Sequence, residues 1–126
     1  MKEVLDAVLG WGAFEHTADA FVGTDNFDFL LEGIPNLVAN QDSMEYLPNY
    51  HAESDTYDKA DLRELKFNAA IDAVLTYGAA ERPGVFAKRQ TRQEVEKTIQ
   101  ETGLDAQMKA FGLWDGWVTK KRGRSE

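Results

Sequence analysis

Cysteine is absent from the chain, which excludes disulfides and thiolate zinc clusters at the outset. Histidine is almost as scarce: His16 and His51 are the two in the sequence, so an imidazole-based metal site has little to draw on. Basic residues are outnumbered, 14 against 22 acidic ones, for a net charge of −8. A phosphate backbone would be repelled by that balance, so nucleic acid is not an expected partner. Long apolar runs are missing as well. None approaches the roughly 20 residues that cross a bilayer, and the N-terminal MKEVLDAVLGWGAF is too acidic, with too short an apolar run, for a secretory signal. The expectation is a soluble chain with no membrane partner.

What remains is ordinary globular material. The chain has 126 residues, 43% of them hydrophobic and 29% charged, which suits one domain's worth of core. Residues 2–9 place Val4, Leu5, Val8 and Leu9 at helical spacing, with Gly10 and Gly12 as stops. Residues 13–24 show no period and read as a loop. Asp25 stands where an N-cap would precede Phe27, Phe29, Leu30 and Leu31; Gly33 ends that helix and Pro35 blocks its continuation. Residues 36–40 (NLVAN) form a short apolar run between turn signals and read as one buried strand. A lone strand leaves its backbone groups unpaired, so this one calls for neighbours that the chain hardly supplies. Residues 41–58 are polar and read as a long loop, the kind of segment that often carries function.

The strongest helix signal is 62–80. Asp61 is placed to cap it, with Glu64 at the third position to reach back, and Phe67, Ala70, Ile71, Val74, Tyr77 and Gly78 are read as its apolar stripe. Arg82-Pro83-Gly84 is the best boundary in the chain and divides it into 1–82 and a helical appendage, 83–126. In the appendage, Thr91-Arg-Gln-Glu94 spells a capping box opening a charged helix to about residue 101. Gly103 follows, and then an apolar cluster of Leu104, Met108, Phe111, Leu113, Trp114 and Trp117. The basic run Lys120-Lys121-Arg122-Gly123-Arg124 reads as a solvated terminal tail.

Chemistry concentrates in residues 23–58. A metal-bound imidazole needs a neutral ring held in one orientation, usually by a carboxylate or carbonyl on its second nitrogen. Asp55, four residues after His51, is near enough to supply one if the loop turns back. Asp25, at a helix start, would be kept ionised by free N–H groups and the helix dipole and so could face a cation or a substrate amine. Each also has a plain reading: an exposed loop histidine, a helix cap, and turn aspartates at 55 and 58.

GTDNFDFLLEGIPNLVANQ followed by NYHAESDTYDKAD resembles the C-terminal portion of the co-catalytic zinc exopeptidases. This is the aminopeptidase and glutamate-carboxypeptidase-like group, peptidase family M twenty-eight, whose fold also serves glutaminyl cyclases. The likeness covers residues 14–82, and 88–117 resemble an appendage of some bacterial members. It implies the C-terminal part of a three-layer α/β/α fold, mostly helical in these residues with one clear strand. It also implies zinc, two ions in the complete enzyme, and peptide as substrate. His51 matches the last zinc ligand and Asp55 the acidic residue after it. Asp25 matches a turn aspartate near the active site, where Asn26 replaces the histidine usual after it, and Tyr50 joins them beside the substrate pocket. The family's other ligands are an early histidine, a bridging aspartate, an adjacent Glu-Glu pair and a further carboxylate. They lie upstream of the matching segment, and the chain has no Glu-Glu dipeptide. His16 has no matching role, and rebuilding a site from His16, His51 and nearby aspartates finds no support in the spacing.

Two expectations follow. The chain is a fragment of a metal-dependent exopeptidase, catalytically silent alone and in need of the missing N-terminal half. Alternatively, it is a non-enzymatic interaction protein that forms a homo-oligomer through its strand edge and apolar helix faces.

Overall fold

The computed structural model describes residues 2–12, 15, 17, 19–40 and 46–126. They fall into two units, each assembled from two stretches of sequence. The first combines Met1–Phe14 with Ala39–Phe86, the second Glu15–Val38 with Ala87–Glu126. The described residues are helical or irregular and contain no strand. This overturns the expected α/β class and the three-layer arrangement. The apolar run at 36–40 is irregular backbone, and Leu37 and Val38 are about half exposed. The Asn36 side-chain amide donates to the Ile34 carbonyl at 2.9 Å, within the turn around Pro35. Apolar composition alone does not make a strand: without a second strand to pair with, the extended backbone leaves its polar groups to water.

In the first unit, α1 (Lys2–Asp6) leads into a 3₁₀ turn at Leu9–Trp11. The long helix, taken in chain order as α3 (Leu62–Ala80), has the bounds expected from sequence. Asp61 caps it, its carboxylate accepting from the N–H groups of Arg63 at 2.8 Å and Glu64 at 3.1 Å. Helix α1 lies against α3: a side chain at Gly78 would meet Val4 at 3.4 Å, and the Trp11 ring sits 6.3 Å from Phe67. Arg82 pairs with Glu3. Val4, Val8 and Ile71 are the buried apolar residues among those described in this unit. Tyr77 does not share their stripe. It lies about 120° around the helix from Ile71 and is 67% exposed.

The second unit contains α2 (Asn26–Leu31), α4 (Arg92–Glu101), α5 (Leu104–Ala110) and α6 (Trp114–Val118). Its core joins Val22, Phe27 and Leu31 to Val95, Ile99, Leu104, Met108 and Trp117. Five of these eight side chains are sealed from solvent, and Trp117 is 1% exposed. The sequence cluster is only partly right here, because Phe111 points away at 64% exposure. Thr91 and Glu94 form the complete capping box. The Thr91 hydroxyl accepts from the Glu94 N–H at 3.3 Å, and Glu94 accepts the Thr91 N–H at 2.6 Å.

The basic C-terminus is a structural element, contrary to its reading as a solvated tail. Residues 121–124 fold back after α6: the Lys121 and Arg122 N–H groups both reach the Gly116 carbonyl at 2.9 Å, and the Arg124 N–H reaches the Leu31 carbonyl at 2.9 Å. Gly123 has φ 72°, and a Cβ there would lie 2.9 Å from Leu31 and Trp117. Only glycine lets the chain pass this close to the core in that conformation.

Candidate functional site

His51 lies in a run of turns spanning residues 46–54. Backbone N–H groups of Asn49, Tyr50, Ala52 and Asp55 reach back to Tyr46, Leu47, Asn49 and Ala52 at 3.0–3.3 Å. His51 itself is in the left-handed region at φ 55°, uncommon for a residue with a side chain. Its ring stacks on Tyr50 with centroids 3.9 Å apart and planes 24° from parallel. Tyr50 in turn tilts against Tyr46 at 5.0 Å. All three rings stand on the surface. They form an exposed aromatic ladder ending in an imidazole.

Asp55 is not drawn back to that imidazole. Its own N–H donates to Ala52, and among the described residues no hydrogen bond joins its carboxylate to His51. The next turn is tied instead by Thr56, whose hydroxyl donates to Asp58, with Lys59 3.5 Å from the same carboxylate. The Thr56 hydroxyl is the main reason that the Asp58 carboxyl titrates below the ordinary aspartate range, followed by the backbone N–H of Asp58 itself. So the carboxylate that is held ionised here is Asp58, and Lys59 stands beside it.

Asp25 and Asn26 belong to the other unit. Asp25 does not cap α2: its backbone is already helical at φ −62° and ψ −21°, and its side chain accepts no cap hydrogen bond. Thr24 takes over the turn, its carbonyl accepting from Phe27 N–H at 3.0 Å and its hydroxyl donating to the Asn26 side-chain oxygen. The Asp25 carboxylate is thereby left facing solvent.

A catalytic zinc takes three protein ligands and keeps a fourth position open for water. The donor set falls short of that. Among the described residues no group of three His, Cys, Asp or Glu side chains is placed to hold a metal ion, and the His51 ring lies against Tyr50. His16, Asp42 and Glu45 lie outside the described residues. The described residues alone do not complete the donor set for the two zinc ions that the sequence resemblance implies.

The side chains that sequence reading passed over are arginines. Arg92 lies over the Trp117 ring at 3.7 Å and donates to the carbonyls of Trp117 and Arg124. Arg122 makes a bidentate pair with Asp28, both bonds at 2.9 Å. Arg89 grips Glu32 through both its carbonyl and its carboxylate at 2.7 Å. The signal available in the sequence was the glycine between Arg122 and Arg124, which marks a close backbone approach rather than a disordered tail. A shallow apolar hollow of about 180 Å³ beside Asp28, Phe29, Glu32 and Ile34 opens broadly to solvent and has no convergent polar groups.

No protein-family model, curated protein or solved structure matches this chain. Among the described residues, no helix is long and apolar enough to cross a membrane.

Proposed function

We propose that the chain is a catalytically incomplete portion of a zinc exopeptidase, contributing His51 as one ligand to a site whose other ligands and general base come from elsewhere. The motif order carries this reading: an Asp-bearing turn, a short helix, a Gly-Ile-Pro corner, and then His51 four residues before Asp55. It is supported by the uncovered apolar surface of the unit that holds His51. Leu62, Leu65 and Tyr77 are exposed on the far side of α3 from Ile71, and Tyr57 is 78% exposed. Apolar residues on both sides of one helix suit a segment with partners on both sides. In this reading the isolated chain neither binds zinc tightly nor hydrolyses peptides.

Calorimetric zinc titration of the purified chain and of His51→Ala, beside an aminopeptidase assay, tests the incompleteness. Neither protein is expected to bind or turn over. Micromolar zinc binding or zinc-dependent hydrolysis lost in His51→Ala would overturn it. The ancestry is tested by joining the chain to the N-terminal part of a two-zinc exopeptidase. A soluble, zinc-loaded, active chimaera should lose activity with His51→Ala; equal activity in both removes His51 from the ligand set.

The same exposed surface favours a second reading, in which the chain is a non-enzymatic protein that self-associates through its apolar helix faces. The strand edge invoked for this from sequence is gone with the strand. Sedimentation decides the point, because a monomer across micromolar concentrations would exclude this second reading.

A further inference from the structure

Helix α2 has six residues, far too few to persist on intrinsic propensity. Its last carbonyls would ordinarily be left without partners. Here three successive carbonyls, of the last helical residue, the C-cap and the glycine after it, are each taken by a group from the C-terminal half of the chain. The Leu31 carbonyl accepts the Arg124 N–H at 2.9 Å, the Glu32 carbonyl accepts the Arg89 Nε–H at 2.7 Å, and the Gly33 carbonyl accepts the Gln90 N–H at 2.7 Å. The helix's own Schellman closure completes the end, with Gly33 N–H on Leu30 at 2.8 Å and Ile34 N–H on Phe29 at 2.9 Å. On the exposed face Arg122 forks onto Asp28 and lies 5.8 Å over the Phe27 ring.

The groups doing the gripping are themselves held. Arg124 donates to the Gln90 carbonyl at 2.8 Å, so the two backbone segments that meet α2 are tied to each other. Arg92 holds the folded-back strap of residues 121–124 through the Arg124 carbonyl, and lies over the Trp117 ring. At Gly123 the chain crosses Leu31 and Trp117 with no side chain of its own, where a Cβ would lie 2.9 Å from both.

We propose that residues 89–92 and 121–124 form a clamp that sets the pose of α2, and with it the Thr24-Asp25-Asn26 turn at its start. Arg122 is the positioning residue of this clamp. It acts through Asp28, one turn from Asp25, and through the strap that Gly123 lays over Leu31. The coupling stands on this geometry alone, and its consequence for catalysis rests on the exopeptidase reading. In an assembled enzyme the clamp would fix the aspartate-bearing turn from behind, so the appendage and the turn would have to travel together.

Hydrogen exchange by mass spectrometry on the whole chain tests the coupling without any catalytic assay. Arg122→Asp places two carboxylates together and should speed exchange at the amides of residues 30–34 by tenfold or more, with residues 95–101 of α4 unchanged. The charge-exchanged pair Asp28→Arg with Arg122→Asp should restore protection, which loss of bulk packing would not allow. Unchanged exchange at 30–34 in Arg122→Asp, and in a chain ending after Lys121, would overturn the proposal. Equal loss at 30–34 and 95–101 would also overturn it, since the strap would then be a core component and not a positioning device. Zinc-binding and peptidase results bear on the exopeptidase reading and leave this outcome untouched.

Discussion

The two units bury their apolar residues very differently. The second closes a cluster of eight side chains, Trp117 and Leu31 among them, five of them sealed completely. The first holds a helix of nineteen residues yet buries only Ile71 along it, with Val4 and Val8 from the N-terminal stretch. A fully buried aliphatic side chain contributes roughly 1.5–3 kcal/mol, so among the described residues the second unit, with eight buried apolar side chains against three, has the larger driving force. Local order in the first depends more on capping and short-range turns. The difference teaches where each unit's structure comes from: long-range packing in one, local sequence signals in the other.

The sharpest way to break the comparison is to empty the better core. Trp117→Ala removes the largest sealed side chain and the surface on which Arg92 lies, and should cost the second unit about 3–5 kcal/mol. Hydrogen exchange should show protection collapsing in α4 and α5 while α3 keeps its own pattern, as expected when units open separately. Equal loss in α3 would mean that the two units fold as one.

Gly123→Ala comes next. It adds a Cβ at φ 72°, where one would press on Leu31 and Trp117. A cost of about 1–3 kcal/mol is expected, read as a lower midpoint for the second unit in urea. A change within about 0.5 kcal/mol, typical of unconstrained surface positions, would show that the strap is not held against the core.

These differences explain what could be seen in the sequence. The bounds of α3 were legible because Asp61 caps it and Pro83-Gly84 closes the segment that follows. The Thr91–Glu94 box and the Gly33 stop were legible for the same reason: each signal acts within a few residues. The strand at 36–40 failed because pairing is a property of two segments, and one was all the sequence displayed. The C-terminal strap was missed because its partners, Asp28 and Leu31, lie some ninety residues earlier. The candidate site was legible only as residues. His51 and Asp55 have the expected spacing, but the turns at 46–54 point the imidazole onto Tyr50 and leave Asp55 apart.

The first unit's exposed surface gives a smaller effect. Leu65→Lys places a charge on the far side of α3 and should leave stability within about 0.5 kcal/mol. Self-association and dye binding should both fall. A clear loss of α3 helicity would instead mean that Leu65 supports the unit's own fold.

The smallest effect compares single hydrogen-bonded carboxylates. Glu94 in the second unit is held below the ordinary glutamate range, first by the Thr91 N–H and then by the Thr91 hydroxyl. Asp58 in the first is lowered chiefly by the Thr56 hydroxyl. In both, the folded state favours the ionised form. The stabilisation is therefore present above the unfolded carboxyl values, near pH ~4, and is lost as pH falls through the lowered folded values. Both groups are solvent-exposed, so each contribution is small and screened by salt. The two titrations should still differ in consequence. Protonating Glu94 removes the acceptor for a helix N-terminus, so α4 should fray at its first turn on acidification. Thr91→Ala should weaken that pH dependence without abolishing it, because it deletes the hydroxyl half of the box and leaves the backbone N–H, the larger contribution, in place. Protonating Asp58 frees only a turn between Thr56 and Lys59, and exchange in α3 should hardly respond. An α3 that loosens in step with α4 would show that the 56–59 turn holds up the long helix, and that local signals in the first unit reach further than its few buried residues suggest.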